Sequence, residues 1–443
     1  MSTGQRLKAP LGRSWKSRRQ SRRLPAGKPG RLWRPWPRLT EQRIGRARSP
    51  ALEIFLWSRA AIWAAALFAW LVFEPNRHPR ADRWDDPSLT RDLGWVTDVW
   101  ARWDSVWFVR IAEHGYGAAQ HGVAAAFYPL YPLALAGAGR ALGGHYVLAG
   151  IILSLAATLG SFALLYRLAE PRLGADGARR AVLYLAVFPT ALFLQAVYSE
   201  SLYLVLVLAA FLLAERGRWP AAGVMTGLAI LTRISGVALL PALAVMAWRR
   251  PPHERRRAFA SLCLAPLIFA AYPVYLGLAR DDAFAFARSQ GFWNRHLSSA
   301  GPLGGLWDGS RAAWAGVRQL ASGSHTHYYW SPVRDADPMR VAAVNLEAFL
   351  FLGLLIVLTV VAWRRFGTPY GLFAAVSLAI PLSVPSERWP LLSMPRFGLV
   401  LFPCFLALAT LGGRPRVHTA ILVVSSLMLG VAVTQWALWQ WVA

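Results

Sequence analysis

Cysteine is nearly missing from this 443-residue chain, and its absence removes two classes at once. The two that occur, Cys263 and Cys404, both sit in apolar runs, so neither a disulfide framework nor a cysteine-ligated zinc site is readable. Lysine is confined to Lys8, Lys16 and Lys28, and every later basic residue is arginine. Acidic residues are sparse as well, 22 against 48 Lys and Arg, so few carboxylates are available for chemistry. No internal repeat of the transporter kind occurs, nor any stretch composed like a soluble domain. No cleavable signal is visible, since the first apolar run begins near residue 51 and is long enough to span.

What the chain does have is apolar length. Hydrophobic residues make up 56% of it, tryptophan occurs 22 times, and mean hydropathy is positive. Apolar runs of spanning length recur along most of the sequence, which predicts an all-α, polytopic membrane bundle. The net charge of +26 could suggest nucleic acid, but its distribution argues against that partner. Fifteen Lys and Arg against one acid, Glu41, fall in residues 1–50, a Pro-, Gly- and Ser-rich stretch with no apolar period. Residues 1–49 are expected to be a disordered cytoplasmic arm facing membrane lipids, or only a topology signal. The membrane domain then runs from 50 to 443.

Apolar runs place spans at about 51–73, 146–167, 181–198, 201–214, 258–279, 343–363, 369–384, 397–411 and 417–441. Residues 220–248 have arginines at both ends and must turn back, as two short helices meeting at Thr232-Arg233-Ile234-Ser235-Gly236. The run 129–142 is short, carries Pro132 and Arg140, and is expected to dip into the membrane without crossing it. The positive-inside rule then gives about eleven crossings, a cytoplasmic N-terminus, and two long extracytoplasmic loops, 74–145 and 280–341, bearing interfacial helices. In the first loop, Trp100, Trp103, Trp107 and Ile111 recur at three- and four-residue intervals, which predicts one aromatic stripe on a helix lying in the membrane plane.

With that topology several polar groups collect at the outer side of a plasma-membrane protein. They are Asp104, Glu113 and His114, Tyr198-Ser199-Glu200, Arg233, Trp293-Asn294-Arg295-His296, and Ser393-Met394-Pro395-Arg396-Phe397. A lone carboxylate beside arginines at a membrane surface suits sugar transfer. The carboxylate takes the proton of an acceptor hydroxyl. The planar arginine fork stabilises a departing lipid phosphate. Blander readings stand beside this one: Asp104 paired with Arg102 or Arg110, Glu200 as a helix cap, Arg233 and Arg396 as interface anchors. Tyr128 and Tyr131, in Phe127-Tyr128-Pro129-Leu130-Tyr131-Pro132, read equally as a rigid interfacial turn or as the mouth of a groove. His325 and His327 lack convergent further ligands. No metal or other cofactor is expected, although Glu113 and His114 are able to hold a divalent cation.

Taken in order, these stretches resemble the PIG-V type mannosyltransferases and their prokaryotic relatives. The matching residues are Arg102-Trp103-Asp104, Ile111-Ala112-Glu113-His114-Gly115-Tyr116, Phe127 to Pro132, Phe188-Pro189-Thr190, Tyr198-Ser199-Glu200, Thr232-Arg233, Trp293-Asn294 and Pro395-Arg396-Phe397. The resemblance implies a GT-C glycosyltransferase fold, Asp104 as catalytic base, and a polyprenyl-phosphate mannose donor. It also implies an α-mannoside formed with inversion. Arg396 and Arg233 are then the phosphate-side cations, and Arg102, Trp103, Glu113, His114, Glu200, Trp293 and Asn294 join them in binding substrate, with Tyr128 and Tyr131 at the entrance. The basic arm and Arg295 depart from the anchor-pathway pattern. A glycan or lipid-linked acceptor is expected, without its identity. Other sugars or acceptors (protein O-mannosylation, arabinosyl or lipoglycan transfer) fit the same fold, and a lipid or sugar transporter is the rival from another class.

Overall fold

A computed structural model describes residues 50–74, 94–116 and 120–442. The basic arm 1–49 and most of the first half of the loop 74–145 lie outside the described residues. Among the described residues the architecture is helical, with one isolated antiparallel bridge, Arg295 to Ser386. Five helical stretches are long and apolar enough to cross a membrane: Pro50–Val72, Tyr146–Ala186, Pro252–Arg280, Pro338–Phe366 and Pro415–Ala437. Shorter apolar helices complete the bundle, and the protein is multi-pass. In chain order the helices used below are α1 (Pro50–Val72), α2 (Ser105–His114), α3 (Leu130–Ala141), α4 (Tyr146–Ala186), α5 (Glu200–Glu215), α6 (Trp219–Thr232), α7 (Leu239–Trp248), α8 (Pro252–Leu262) and α9 (Leu264–Arg280). They continue with α10 (Pro302–Ser322), α11 (Pro338–Phe366), α12 (Thr368–Ser383), α13 (Met394–Leu399), α14 (Phe402–Leu411) and α15 (Pro415–Ala437).

The short elements form where expected. α3 has twelve residues, roughly 18 Å of helix, too short for a bilayer core of roughly 30 Å. α6 and α7 meet at Arg233, where the backbone is extended (φ −155°, ψ 139°) before a single 3₁₀ turn at Ile234–Ala238.

Two expectations need correction. The spans at 146–167 and 181–198 fall on the two helical halves of α4, which break at Gly174 (φ 69°), but the second half ends early, at Ala186. The apolar run continues, but the helix does not. Pro189 disfavours helical geometry at Phe188, and residues 187–199 unwind around a 3₁₀ turn at Ala191–Leu194. Irregular backbone inside a membrane bundle persists only if its polar groups find partners. Here they do. Arg59 of α1, itself buried, donates to Ala186 O (2.8 Å) and Ala191 O (2.9 Å). Ser154 and Thr158 of α4 donate to Ala196 O (2.7 Å) and Leu194 O (2.6 Å). The unwound stretch thereby becomes a rigid shelf, and Tyr198, Ser199 and Glu200 stand at its end.

The second correction concerns the tryptophan stripe. Trp100 and Trp103 are not on the helix of Trp107 and Ile111, because the chain turns at 99–104 and α2 starts only at Ser105. Trp103 adopts φ 55°, a left-handed conformation costly for a bulky side chain. Most of α2 is also buried in protein instead of facing lipid, Trp107 nearly completely, and Trp100 in the preceding turn is fully covered. Aromatic partners from the far end of the chain make that burial possible. Trp103 packs edge-on against Trp439 and Trp441, and Trp436 Nε1 donates to Val99 O (2.5 Å).

Candidate active site

Asp104 sits at the N-cap position of α2, held there by its neighbours' backbone bonds. Its N–H donates to the Tyr198 hydroxyl (3.1 Å), which itself donates to Arg102 O (3.1 Å). Tyr198 thus ties the turn 102–104 to the unwound shelf. Arg102 lies with its guanidinium 4.3 Å from the Trp439 ring centre and 5.3 Å from that of Trp70, buried as a structural cation under the turn.

Around this turn four charged side chains from four elements form one chain of ion pairs. Arg396 Nη1 of α13 is 2.8 Å from Asp104 Oδ2, and its Nε donates to Glu200 Oε1 at the start of α5. Arg233, at the α6 hinge, reaches the same Glu200 oxygen from the other side (2.5 Å) and Ser199 Oγ at 3.4 Å. The Glu200 side chain is 0% exposed, whereas that of Asp104 keeps 15% of its surface. The two residues therefore do different work: Glu200 holds two arginines in place, and Asp104 is the accessible acid. α13 is positioned by Thr190, which donates to Pro395 O (3.1 Å), so the unwound shelf aims Arg396 as well.

A fifth charged residue joins them, Arg295, a member of the outer-side polar group but not expected to bind substrate. Arg295 donates to Val384 O (3.0 Å) and Leu392 O (3.2 Å), and its guanidinium lies over the Phe397 ring (5.9 Å). Burial first, and the nearby Arg396 cation second, lower its pKa to about 10, partly opposed by Asp104. It remains charged at neutral pH. Arg396 is raised above the ordinary arginine range: burial works against the charge, but Glu200 and Asp104 outweigh it. The five residues carry one net positive charge, an excess suited to an anionic ligand.

The remaining candidates fall into two groups. Tyr131, fully buried, and Tyr128, nearly so, pack inside an aromatic cluster that Trp293 borders, instead of standing at a groove entrance as expected. Tyr131 packs on Phe108 (4.9 Å) with its hydroxyl 3.3 Å from Ser154 Oγ, Tyr128 lies against Tyr272 and Phe286, and Trp293 meets Phe127. Asn294 contributes backbone, adopting a left-handed turn (φ 53°) and accepting Glu387 N–H (2.9 Å). Glu113 and His114, 3.6 Å apart, stand at the opposite end of α2, roughly 15 Å along the helix from Asp104. They do not converge with the acid. His325 pairs instead with Asp337 (2.7 Å), the residue that caps α11.

Comparison with known proteins bears on the same stretch. Residues 92–249 match the family model described as Mannosyltransferase (PIG-V). A curated relative, GPI alpha-1,6-mannosyltransferase 2 of Mus musculus, is 33% identical over 187 residues, which is 38% of this chain and 37% of that protein. The chain thus spans just over a third of that relative's length. Among solved structures, ArnT from Cupriavidus metallidurans bound to undecaprenyl phosphate aligns with a TM-score of 0.40 and 14% identity, covering 88% of this chain and 78% of that one. The archaeal oligosaccharyltransferase AglB from Archaeoglobus fulgidus, in complex with an inhibitory peptide and a dolichol-phosphate, aligns at 0.37 and 12%, covering 85% and 56%. The segment that carries Asp104, Glu200 and Arg233 is similar to the PIG-V mannosyltransferases, while Arg295 and Arg396 complete the site from outside it.

Proposed function

We propose that this chain is a membrane glycosyltransferase that moves mannose from a polyprenyl-phosphate donor to an acceptor hydroxyl, with Asp104 as the base. The observation that carries the reading is the Asp104–Arg396 pair at 2.8 Å, with Arg396 locked by buried Glu200. An accessible carboxylate and a fixed cation then belong to one site, and the reaction needs both a base and a group that stabilises the departing anion. The acceptor proton passes to Asp104 while its oxygen bonds to sugar C1. The C1–O bond to phosphate breaks on the opposite face, and polyprenyl phosphate leaves with the electron pair. Attack from the face opposite the departing phosphate inverts C1. Arg396 and Arg295 stabilise the charge that grows on the phosphate, preorganised in a poorly solvated site. Arg233 keeps Glu200 ionised in place. The scheme invokes no metal, since arginine cations take the charge.

The orientation proposed is extracytoplasmic, in the plasma membrane. α5 runs from Glu200 at the site to Glu215, where Arg172 and Tyr370 bond to Glu215 and Arg250 donates to Ala214 O and Glu215 O. The arginine-rich end of the bundle is thus opposite the site, as expected for a cytoplasmic face.

The test is purified full-length protein in lipid nanodiscs with radiolabelled polyprenyl-phosphate mannose and a total membrane lipid extract as acceptor source. The reading requires labelled mannoside with stoichiometric release of polyprenyl phosphate. Movement of the intact donor across the bilayer without glycoside formation would support a transporter instead.

A further inference from the structure

At the end of the bundle opposite Asp104 lies a basic and aromatic surface that the transfer scheme leaves unused. α5 carries Glu200 at its start and Glu215 at its end, roughly 22 Å along the helix. Arg250 joins that far end, donating to Ala214 O (2.9 Å) and Glu215 O (2.7 Å). Around it the sequence reads Trp248-Arg249-Arg250-Pro251-Pro252-His253-Glu254-Arg255-Arg256-Arg257, five arginines against one acid. That acid is already shared, since Glu254 lies 3.8 Å from Arg250 and 4.0 Å from His253. The cationic excess stays on the surface, with Arg256 and Arg257 exposed.

Aromatic rings are built into this patch. Trp248 ends α7 and is 64% exposed. The Arg255 guanidinium lies 4.7 Å from its ring centre, while Arg255 Nη2 donates to Arg250 O (3.4 Å). Phe259 meets the same indole edge-on, with ring centres 6.5 Å apart. Tryptophan beside arginine is the composition of a membrane interface, where such rings sit at headgroup depth. α8 and α9 together make the span Pro252–Arg280, little of it buried against protein. Arg256, Phe259, Cys263, Leu267, Val274 and Leu278 recur on one face of it and are all exposed. By the turn of the helix, Arg255 and Arg257 stand to either side of Arg256. From Arg256 to Leu267 is roughly 16 Å of helix, about one leaflet of the hydrocarbon core.

We propose that this corner binds an anionic phospholipid, with its phosphate on the Arg255-Arg256-Arg257 row and an acyl chain along the exposed face from Phe259 to Leu267. Charge sets the lipid class. Arginine forks suit phosphate oxygens, and the one carboxylate is already paired, so the patch offers nothing to the amine of a zwitterionic headgroup. The lipid is bound and not consumed, since the far end of α5 separates it from Asp104. It covers the joint between α7 and α8, beside the point where Arg250 ties that joint to α5. It thereby steadies the far end of the short-helix pair that presents Arg233 to Glu200.

The test is photolabelling of the full-length protein in phosphatidylcholine nanodiscs doped with phosphatidylglycerol that carries a diazirine in its acyl chain. Labels are expected between Phe259 and Leu267, at least about tenfold above those from a phosphatidylcholine probe of the same chain. The double variant Arg256→Gln, Arg257→Gln should remove most of that preference, at about fivefold per arginine. Trp248→Leu keeps every charge and should lower labelling about threefold, through the lost stacking on Arg255. Removing equal charge at the turn between α14 and α15, by Arg414→Gln with Arg416→Gln, should leave labelling unchanged. Equal labelling by the two probes, an equal loss from the Arg414 and Arg416 substitutions, or displacement by soluble glycerol phosphate would overturn the proposal. Labelling needs no sugar transfer, so such a result beside intact Asp104-dependent turnover counts against the lipid site alone.

Discussion

Arg396 and Asp104 lie 292 positions apart in sequence, and their side chains meet at 2.8 Å. No local feature brings them together. Asp104 is set by the turn that Tyr198 and the C-terminal tryptophans pin, Arg396 by the shelf of unwound backbone that Arg59 holds. The site is therefore a product of tertiary structure, and its parts fail in different ways.

Removing Arg396 leaves two carboxylates, one of them fully buried, without their shared cation. Arg396→Met should destabilise the protein by about 3–5 kcal/mol, the usual result of breaking a buried pair from one side. Arg396→Lys keeps the charge but loses the fork that reaches both acids. It should fold, and lose at least about tenfold in transfer rate. Thermal unfolding in detergent and initial rates separate the two effects.

Glu200→Gln is nearly isosteric yet frees Arg396 and Arg233 from their common partner. If Glu200 positions those cations without touching substrate, turnover should fall about tenfold or more while a carboxylate-specific rescue, Glu200→Asp, recovers part of it. A variant with unchanged rate would assign Glu200 a purely structural place.

Tyr198→Phe deletes one hydroxyl that bonds Asp104 N and Arg102 O. Expression should be nearly normal, since the ring keeps its contacts with Phe193 and Trp436. Transfer should drop by about tenfold as Asp104 loses its register, and substrate saturation curves should show the loss in kcat.

Arg59→Met removes the donor to Ala186 O and Ala191 O at a buried position of the bundle. Two buried carbonyls left without their partner should cost about 1–3 kcal/mol each. A lowered unfolding temperature, with proteolysis appearing first between residues 187 and 199, is the expected signature.

Some of this was readable from the residues themselves. The Arg102-Trp103-Asp104 turn, the hinge at Arg233 and the short helix after Tyr128 each carry a local signal: a charge beside aromatics, arginines at both ends of an apolar run, a run too short to cross. The unwound shelf carries none. Residues 187–198 are apolar enough to pass for a membrane helix, and the partners that let them leave helical geometry come from Arg59, Ser154 and Thr158. The tryptophan stripe misled for a related reason. Its spacing is helical, but Trp436, Trp439 and Trp441 offer a protein surface more favourable than lipid, and the chain turns to meet them. Arg295 was visible as one of the outer-side polar residues but not as part of the site, since its place there depends on a bridge to Ser386.

The central claim is that Asp104 removes the acceptor proton, and single-turnover kinetics of Asp104→Asn test it most directly. The variant keeps the shape of the side chain and a partner for Arg396, so folding and donor binding should match the wild type. The rate of mannoside formation should fall by roughly a thousandfold. A variant that forms product at the wild-type rate would contradict the account.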